Sequence, residues 1–351
     1  MKHGGKALFG VAVTVFLLWF VFRDVDPAEV WANIVQGNFA LLFASVFVAT
    51  FGFFIRAMRW KVLLAPIKPD TRLYSRFAAV SIGFMGNNVL PLRAGEFMRP
   101  YALSRLEPVT VSGAFGSLVV ERFLDGIVLL LFLVVPVLLP GSPAADAFSE
   151  DRGSLLLRSG VVTVGLVLLA LVSMAVMPQR FIKVVAWFAR FLPKRVSEPL
   201  LGALESFLGP LAIMRDPKLL GLALAWTLFF WAWHAVSFWL AMLAFDIHTG
   251  FVSAMFVTAA VGWGVALPSA PGFFGTFHVA ASFALTAVYG VAGGQALAFA
   301  FGYHFGGWLP ITLIGFYYAW KMGLSLGEVR SAEEREESEA AADGAQTAVT
   351  V

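Results

Sequence analysis

Long apolar runs separated by short polar breaks make up most of the chain. Residues 7–22, 38–64, 109–139, 155–177, 219–245 and 295–320 are predominantly apolar, each near or above the ~20 residues a helix needs to cross a bilayer. Two further apolar stretches, 73–108 and 251–289, are each interrupted in the middle by proline and glycine. This pattern predicts about six spanning helices and two broken ones. Composition agrees: of 351 residues, 59% are hydrophobic and 13% charged, with a mean hydropathy of +0.81. Soluble chains average about 45–50% apolar and about 25% charged residues. The expected class is therefore an all-α polytopic membrane protein. Cysteine is absent, which excludes disulfides, thiolate metal sites and a Cys nucleophile.

Charge sets the direction of the spans. Lys2 and Lys6 precede the first run, and Asp24, Asp26 and Glu29 follow it, with no small-residue cleavage site. By the positive-inside rule this is an uncleaved span with a cytoplasmic N-terminus. The second run ends in Arg56, Arg59, Lys61, Lys68, Arg72 and Arg76, read as a cytoplasmic loop. The run 109–139 leads to Asp146, Glu150 and Asp151 and so exits outside. Residues 178–218 carry seven Lys/Arg against three acids and belong inside, as amphipathic interfacial helices or as loop helices packed on the bundle. The tail 328–351 holds seven acids and two arginines, cannot form a core, and reads as disordered. Residues 1–327 then form one membrane domain, with halves at about 38–140 and 219–321 joined by 154–218, and both termini cytoplasmic. Loop charge accounts for the net +3 without nucleic-acid binding.

The same count requires 73–108 to start and finish on the cytoplasmic side. It is too apolar for water, so it is expected to be a re-entrant hairpin with Pro91 to Gly95 at its tip, proline stopping the helix and glycine allowing the turn. Residues 251–289 form a second hairpin, entering from outside. The two tips match: Leu90-Pro91-x-x-x-Gly95-x-Phe97 aligns with Leu267-Pro268-x-x-x-Gly272-x-Phe274. Such a pair marks an inverted-topology repeat, whose broken helices meet near the midplane. The tips differ in chemistry. The first carries Asn87, Asn88, Arg93, Glu96 and Arg99. The second carries Ser269, Pro271, Gly272, Gly275 and Thr276, with His278 beyond. Charge recognition falls to the first tip, backbone N–H groups and gating to the second.

Ionisable residues at membrane depth are read as functional by default. Glu121, Arg122 and Asp125 lie inside the run 109–139, with Glu121 and Asp125 on one helix face. Arg93 or Arg99 is expected to meet Glu121 or Asp125, and Glu96 to meet Arg122. These pairs either bind a headgroup or hold the hairpin in place. Asn87 and Asn88 are either headgroup ligands or caps of the broken helix. His234, His278 and His304 lie on separate segments, and no metal site or cofactor is expected. The aromatic stripe Trp226, Phe229, Phe230, Trp231, Trp233, Phe238 and Trp239 reads as lipid-facing or packing surface.

Asn87-Asn88-x-Leu90-Pro91-x-Arg93-x-Gly95-Glu96-x-x-Arg99, Glu121-Arg122-x-x-Asp125 and Leu267-Pro268-x-x-Pro271-Gly272-x-x-Gly275, taken in order, resemble the lysylphosphatidylglycerol synthase transmembrane family over residues 7–322. The resemblance implies a flippase-like domain. An acidic tail stands where the full-length synthases carry an aminoacyl-transferase domain, so it implies lipid translocation rather than lipid synthesis. The expected partners are membrane lipids, with a separate lipid-modifying enzyme as a further candidate, and the expected location is the cytoplasmic membrane of a prokaryote. No nucleotide-binding motif is present. The alternatives are an intramembrane lipid-modifying enzyme of the polyprenyl-linked glycosyl transferase type, or a scaffold for such an enzyme.

Overall fold

Helices start where the sequence supplies a cap. The computed structural model describes residues 14–23, 25–90, 93–149, 215–266 and 271–324, with isolated positions 12, 162, 166, 169, 177, 180, 183, 187 and 213. Every regular element among the described residues is helical. Helix α1 covers 14–22. Helix α2 (Pro27–Gln36) begins on Asp26, which accepts from Ala28 N at 2.8 Å, with Pro27 in its first turn. Asn38 caps α3 (Phe39–Leu64) through Ala40 N and Leu41 N. Helices α4 (Leu73–Val89) and α5 (Gly95–Leu106) follow. Thr110 then caps α6 (Val111–Leu138), and Ser142 the short α7 (Pro143–Ala147). Asp216 caps α8 (Pro217–Ala244). Next come α9 (Phe251–Gly264), a 3-10 turn (Pro271–Phe273), α10 (Thr276–Phe283) running into a π-helical turn, and α11 (Gly293–Lys321).

Helices α3, α6, α8 and α11 have 26, 28, 28 and 29 residues. At about 1.5 Å per residue each exceeds the ~30 Å hydrocarbon thickness. They are four of the six predicted spans, and the chain is an all-α polytopic membrane protein. The first span is described from residue 14 on. The span at 155–177, the loop helices of 178–218 and the tail at 328–351 lie outside the described residues, apart from isolated positions.

Helices α4 and α5, of 17 and 12 residues, pack on each other across the short connection 90–94. Helices α9 and α10 pair in the same way around a second tip. The two halves repeat one packing scheme. Exchange α3 with α8, α4 with α9, α5 with α10 and α6 with α11. The packed pairs α4–α5, α4–α11, α3–α4, α3–α11, α5–α6 and α3–α6 become α9–α10, α9–α6, α8–α9, α8–α6, α10–α11 and α8–α11, and all of these are packed too. Helix α3 packs on its own counterpart α8, and the two run antiparallel. Asn38 N meets Ala244 O at 2.8 Å, Ser45 Oγ meets Ser237 O at 2.7 Å, Trp233 Nε1 meets Val48 O at 2.7 Å, and Arg59 reaches Thr227 at 3.4 Å. A repeat whose matching helices run in opposite senses is an inverted one.

Two sequence expectations change here. Gly95 is not the turn residue. The left-handed backbone falls on Arg93, with φ 57°, while Gly95 opens α5 directly against the carbonyl of Gly83, where a Cβ has no room. The glycine serves close helix crossing. At the second tip the turn does use glycine: Gly272 and Gly275 have φ 71° and 93°, with Phe273 at 62°. The second change concerns the basic stretch after the second run. Arg56, Arg59 and Arg76 are buried in the bundle, because each finds carboxylates or carbonyls there. Arg76 donates to Ala57 O and to the carbonyl and hydroxyl of Thr71.

Candidate functional site

The site is built on one face of α6. Glu121 and Asp125 sit one turn apart and are fully buried. Their counter-charges come from three helices. Arg56 and Arg59, three residues apart on α3, point at the same face: Arg56 reaches Glu121 at 2.6 Å, and Arg59 reaches Asp125 at 2.5 Å and Glu121 at 3.1 Å. From α5, Arg99 grips Glu121 with two parallel bonds of 3.0 and 2.9 Å, the bidentate geometry that guanidinium and carboxylate favour. Arg122 adds 3.3 Å to Glu121 and 3.5 Å to Asp125. Aromatic faces complete the shell. Phe230 lies under Arg56 and Arg59, Trp60 under Arg99, and Trp231 Nε1 donates to Asp125 at 2.9 Å.

Beside this cluster lies a cavity of about 420 Å³. Both hairpin tips line it. The first contributes Asn87, Asn88, Arg93 and Glu96, and the second contributes Phe273. Arg56, Arg122 and Asp125 supply charge to its wall, and His234, His304, Trp263 and Trp308 also line it. The tips touch where the Arg93 guanidinium lies over the Phe273 ring, 5.4 Å from its centre. Asn88 ties the first tip to α11 through Thr312, at 2.8 Å, and Asn87 donates to Glu96 at 3.4 Å. Both asparagines lie inside the last turn of α4 and bond outward from it, so neither is a cap.

Arg99 meets Glu121 as the sequence suggests, but the pair is sealed behind the cavity wall and does not line it. Glu96 and Arg122 do not form a contact pair. Arg122 turns to the carboxylates of its own helix, and Glu96 lines the same cavity. Thr276 bonds back to Phe273 O, and His278 accepts from Gly275 N at 3.4 Å, so both support the second tip from behind. Pro271 and Gly272 form that tip's turn. Pro91, Pro268 and Ser269 lie outside the described residues. His278 and His304 do converge, with ring centres 5.0 Å apart, but no group of three metal-ligating side chains occurs among the described residues. The aromatic stripe divides: Phe230, Trp231 and Phe238 face the interior, while Phe229 is exposed.

Sequence reasoning missed Arg56, Arg59 and Trp231. A usable signal existed: arginines at i and i+3 within an apolar run share one helix face, as Glu121 and Asp125 do at i and i+4. Loop charge counting absorbed them instead.

The family described as "Lysylphosphatidylglycerol synthase TM region" matches residues 7–315. Glycosyltransferase AglD of Haloferax volcanii is 25% identical over 314 residues, covering 83% of this chain and 50% of that protein. A UPF0104 membrane protein of Methanocaldococcus jannaschii is 35% identical over 80 residues, 22% of this chain and 24% of the relative. Another, from Methanothermobacter thermautotrophicus, is 22% identical over 139 residues, 38% and 41% of the two chains. The chain thus spans half the length, or less, of these curated relatives. The chain belongs to the lysylphosphatidylglycerol synthase transmembrane family.

Proposed function

We propose that this family member moves a lipid, or another amphiphile with a charged headgroup, between the leaflets of a prokaryotic cytoplasmic membrane. One observation carries the reading: both hairpin tips of an inverted repeat line one cavity, whose largely apolar wall is set with charged and amide side chains. Polar headgroups cross hydrocarbon at high cost, and a midplane site of fixed charges and amides offsets that cost. The headgroup occupies the cavity among Asn87, Asn88, Arg93, Glu96, Arg122 and Asp125, while its chains stay in lipid. Rocking of one half against the other exposes the cavity to each side in turn. The Arg99–Glu121 pair takes the alternative role and holds the first hairpin to α6. Reconstituted protein should accelerate exchange of fluorescent lipids between the leaflets of a vesicle. No acceleration with anionic, zwitterionic or cationic headgroups rejects the reading.

A second reading draws on the relative named a glycosyltransferase. In it the same cavity presents a lipid-linked donor for sugar transfer, by this chain or by a separate enzyme. Turnover by purified protein, or co-purification of a lipid-modifying enzyme, supports that reading instead.

A further inference from the structure

Charge at the cavity is out of balance. Arg56, Arg59, Arg99 and Arg122 converge on Glu121 and Asp125, four positive groups on two negative ones. Arg93 and Glu96 also line the cavity and add one charge of each sign, so the excess stays at two positive charges among the described residues. Surplus charge at membrane depth is costly, and an occupant of opposite sign removes the cost. The surplus faces the cavity. Arg59 and Arg99 are sealed by their carboxylates, but Arg56 lines the void and Arg122 keeps 45% of its side chain accessible. Guanidinium is the side chain best matched to phosphate oxygens.

We propose that the headgroup bound here is a phosphate dianion, a phosphomonoester or a diphosphate, rather than a zwitterion or a cation. This rests on the lipid-translocation reading above. A terminal phosphate carries about −1.5 to −2 at neutral pH, which matches the surplus. A cavity of this size falls in the usual range of about 300–1,000 Å³ for small-molecule sites.

Free phosphate has the same chemistry as a phosphate headgroup, and a second feature favours the lipid. An apolar groove of about 600 Å³ runs between α3, α11 and the second tip, lined by Phe39, Phe43, Val46, Phe274 and Phe305. Phe39, Phe43 and Phe305 are exposed on the outer face of the bundle. The Phe274 ring also packs against His304 and Trp308 of the first cavity, with centres 4.8 and 6.4 Å away. Phe274 is thus the partition between the cavity that carries the arginines and a chain-sized groove without charge. A single-headed lipid with its phosphate inside and one chain along the groove satisfies both.

The test is binding to the full chain in phosphatidylcholine nanodiscs. The probes are phosphatidic acid, phosphatidylglycerol, phosphatidylcholine and lysylphosphatidylglycerol, with inorganic pyrophosphate as the lipid-free arm. Phosphatidic acid should bind at least about tenfold more tightly than phosphatidylcholine, with phosphatidylglycerol between them. Arg122→Gln should shrink that gap by about tenfold, and Arg122→Lys should restore part of it. Equal binding of phosphatidic acid and phosphatidylcholine, or tighter binding of the cationic lysyl lipid, overturns the proposal without needing any variant. Pyrophosphate competing as well as phosphatidic acid overturns the lipid assignment. If phosphatidic acid binds in the expected order yet no lipid crosses the vesicle membrane, the dianion site stands and translocation fails. If lipids cross with no headgroup order, the opposite holds.

Discussion

Replacing Glu121 by glutamine keeps its shape and one acceptor oxygen but removes the charge that four arginines share. Arg56, Arg59, Arg99 and Arg122 all lie within 3.3 Å of its oxygens. The variant leaves those guanidiniums with Asp125 alone, and the local surplus grows by one. Breaking a buried ion pair by removing one partner costs about 3–5 kcal/mol. With tenfold per 1.4 kcal/mol, the unfolded population should rise roughly 100- to 4,000-fold. Arg122→Gln touches the same carboxylate from an accessible position and should cost under about 1 kcal/mol. The assay is unfolding free energy in mild detergent for wild type, Glu121→Gln, Arg122→Gln, Arg99→Gln and the double variant Glu121→Gln/Arg99→Gln. In the double variant Arg99 no longer needs a partner, so its loss should fall short of the sum of the single losses by about 0.5–3 kcal/mol. A Glu121→Gln protein as stable as wild type, or strict additivity with Arg99→Gln, refutes the idea that this cluster holds α3, α5 and α6 together.

Gly95→Ala should cost about 1–3 kcal/mol through overpacking, since its Cβ meets the Gly83 carbonyl, whereas Gly221→Ala, with nothing within 4 Å, should be neutral or gain up to about 1 kcal/mol; paired thermal melts separate the two. Trp231→Phe removes one donor from buried Asp125 and should cost about 1.5–3 kcal/mol in the same measurement. Burial opposes ionisation of Glu107, on the loop after α5, but hydrogen bonds from the side chain and backbone of Arg72, with the Arg72 charge, outweigh it and hold its carboxyl below the usual range. A depressed folded value means that its contribution is fully present above the unfolded value of about 4.3 and fades as pH falls through the lower folded one. Melts of wild type and Glu107→Gln should therefore differ at pH 6 and converge as acid is added toward pH 3.

The membrane class, four of the six spans and the hairpin positions were legible because apolar run length and the proline–glycine breaks are local signals. The repeat was legible at its tips, where Leu90 to Phe97 echoes Leu267 to Phe274. The partners of Glu121 were only half legible. Arg99 was within reach because it sits on the adjoining hairpin. Arg56 and Arg59 were hidden, because a basic stretch at the end of a span looks the same whether its side chains point to water or back into the bundle. Gly95 was misread for a similar reason. A glycine beside a proline suggests a turn, and only the packed neighbour, Gly83, reveals that it serves a close crossing.

The repeat is symmetric in packing but not in charge, and that asymmetry indicates where the molecule can open. The buried ion pairs of the site join α3, α5 and α6, all within the first half. Among the described residues no ion pair crosses to the second half. What crosses includes Asn88 to Thr312, Ser45 to Ser237, the Trp231 donor on Asp125, Arg59 to Thr227, the Arg56 and Arg59 guanidiniums on Phe230, and the Arg93 guanidinium on Phe273. A neutral hydrogen bond contributes about 0.5–1.5 kcal/mol net, one to a charged group about 1.5–3 kcal/mol, and a cation–π contact about 0.5–2 kcal/mol. Removing one partner of the ion cluster costs about 3–5 kcal/mol. The ion cluster therefore ties α3, α5 and α6 to one another and places the charges on the first half. In the lipid-translocation proposal, a headgroup held by the first half would keep its counter-charges while the second tip withdraws, which fits a second tip without a charged residue between Leu267 and Thr276.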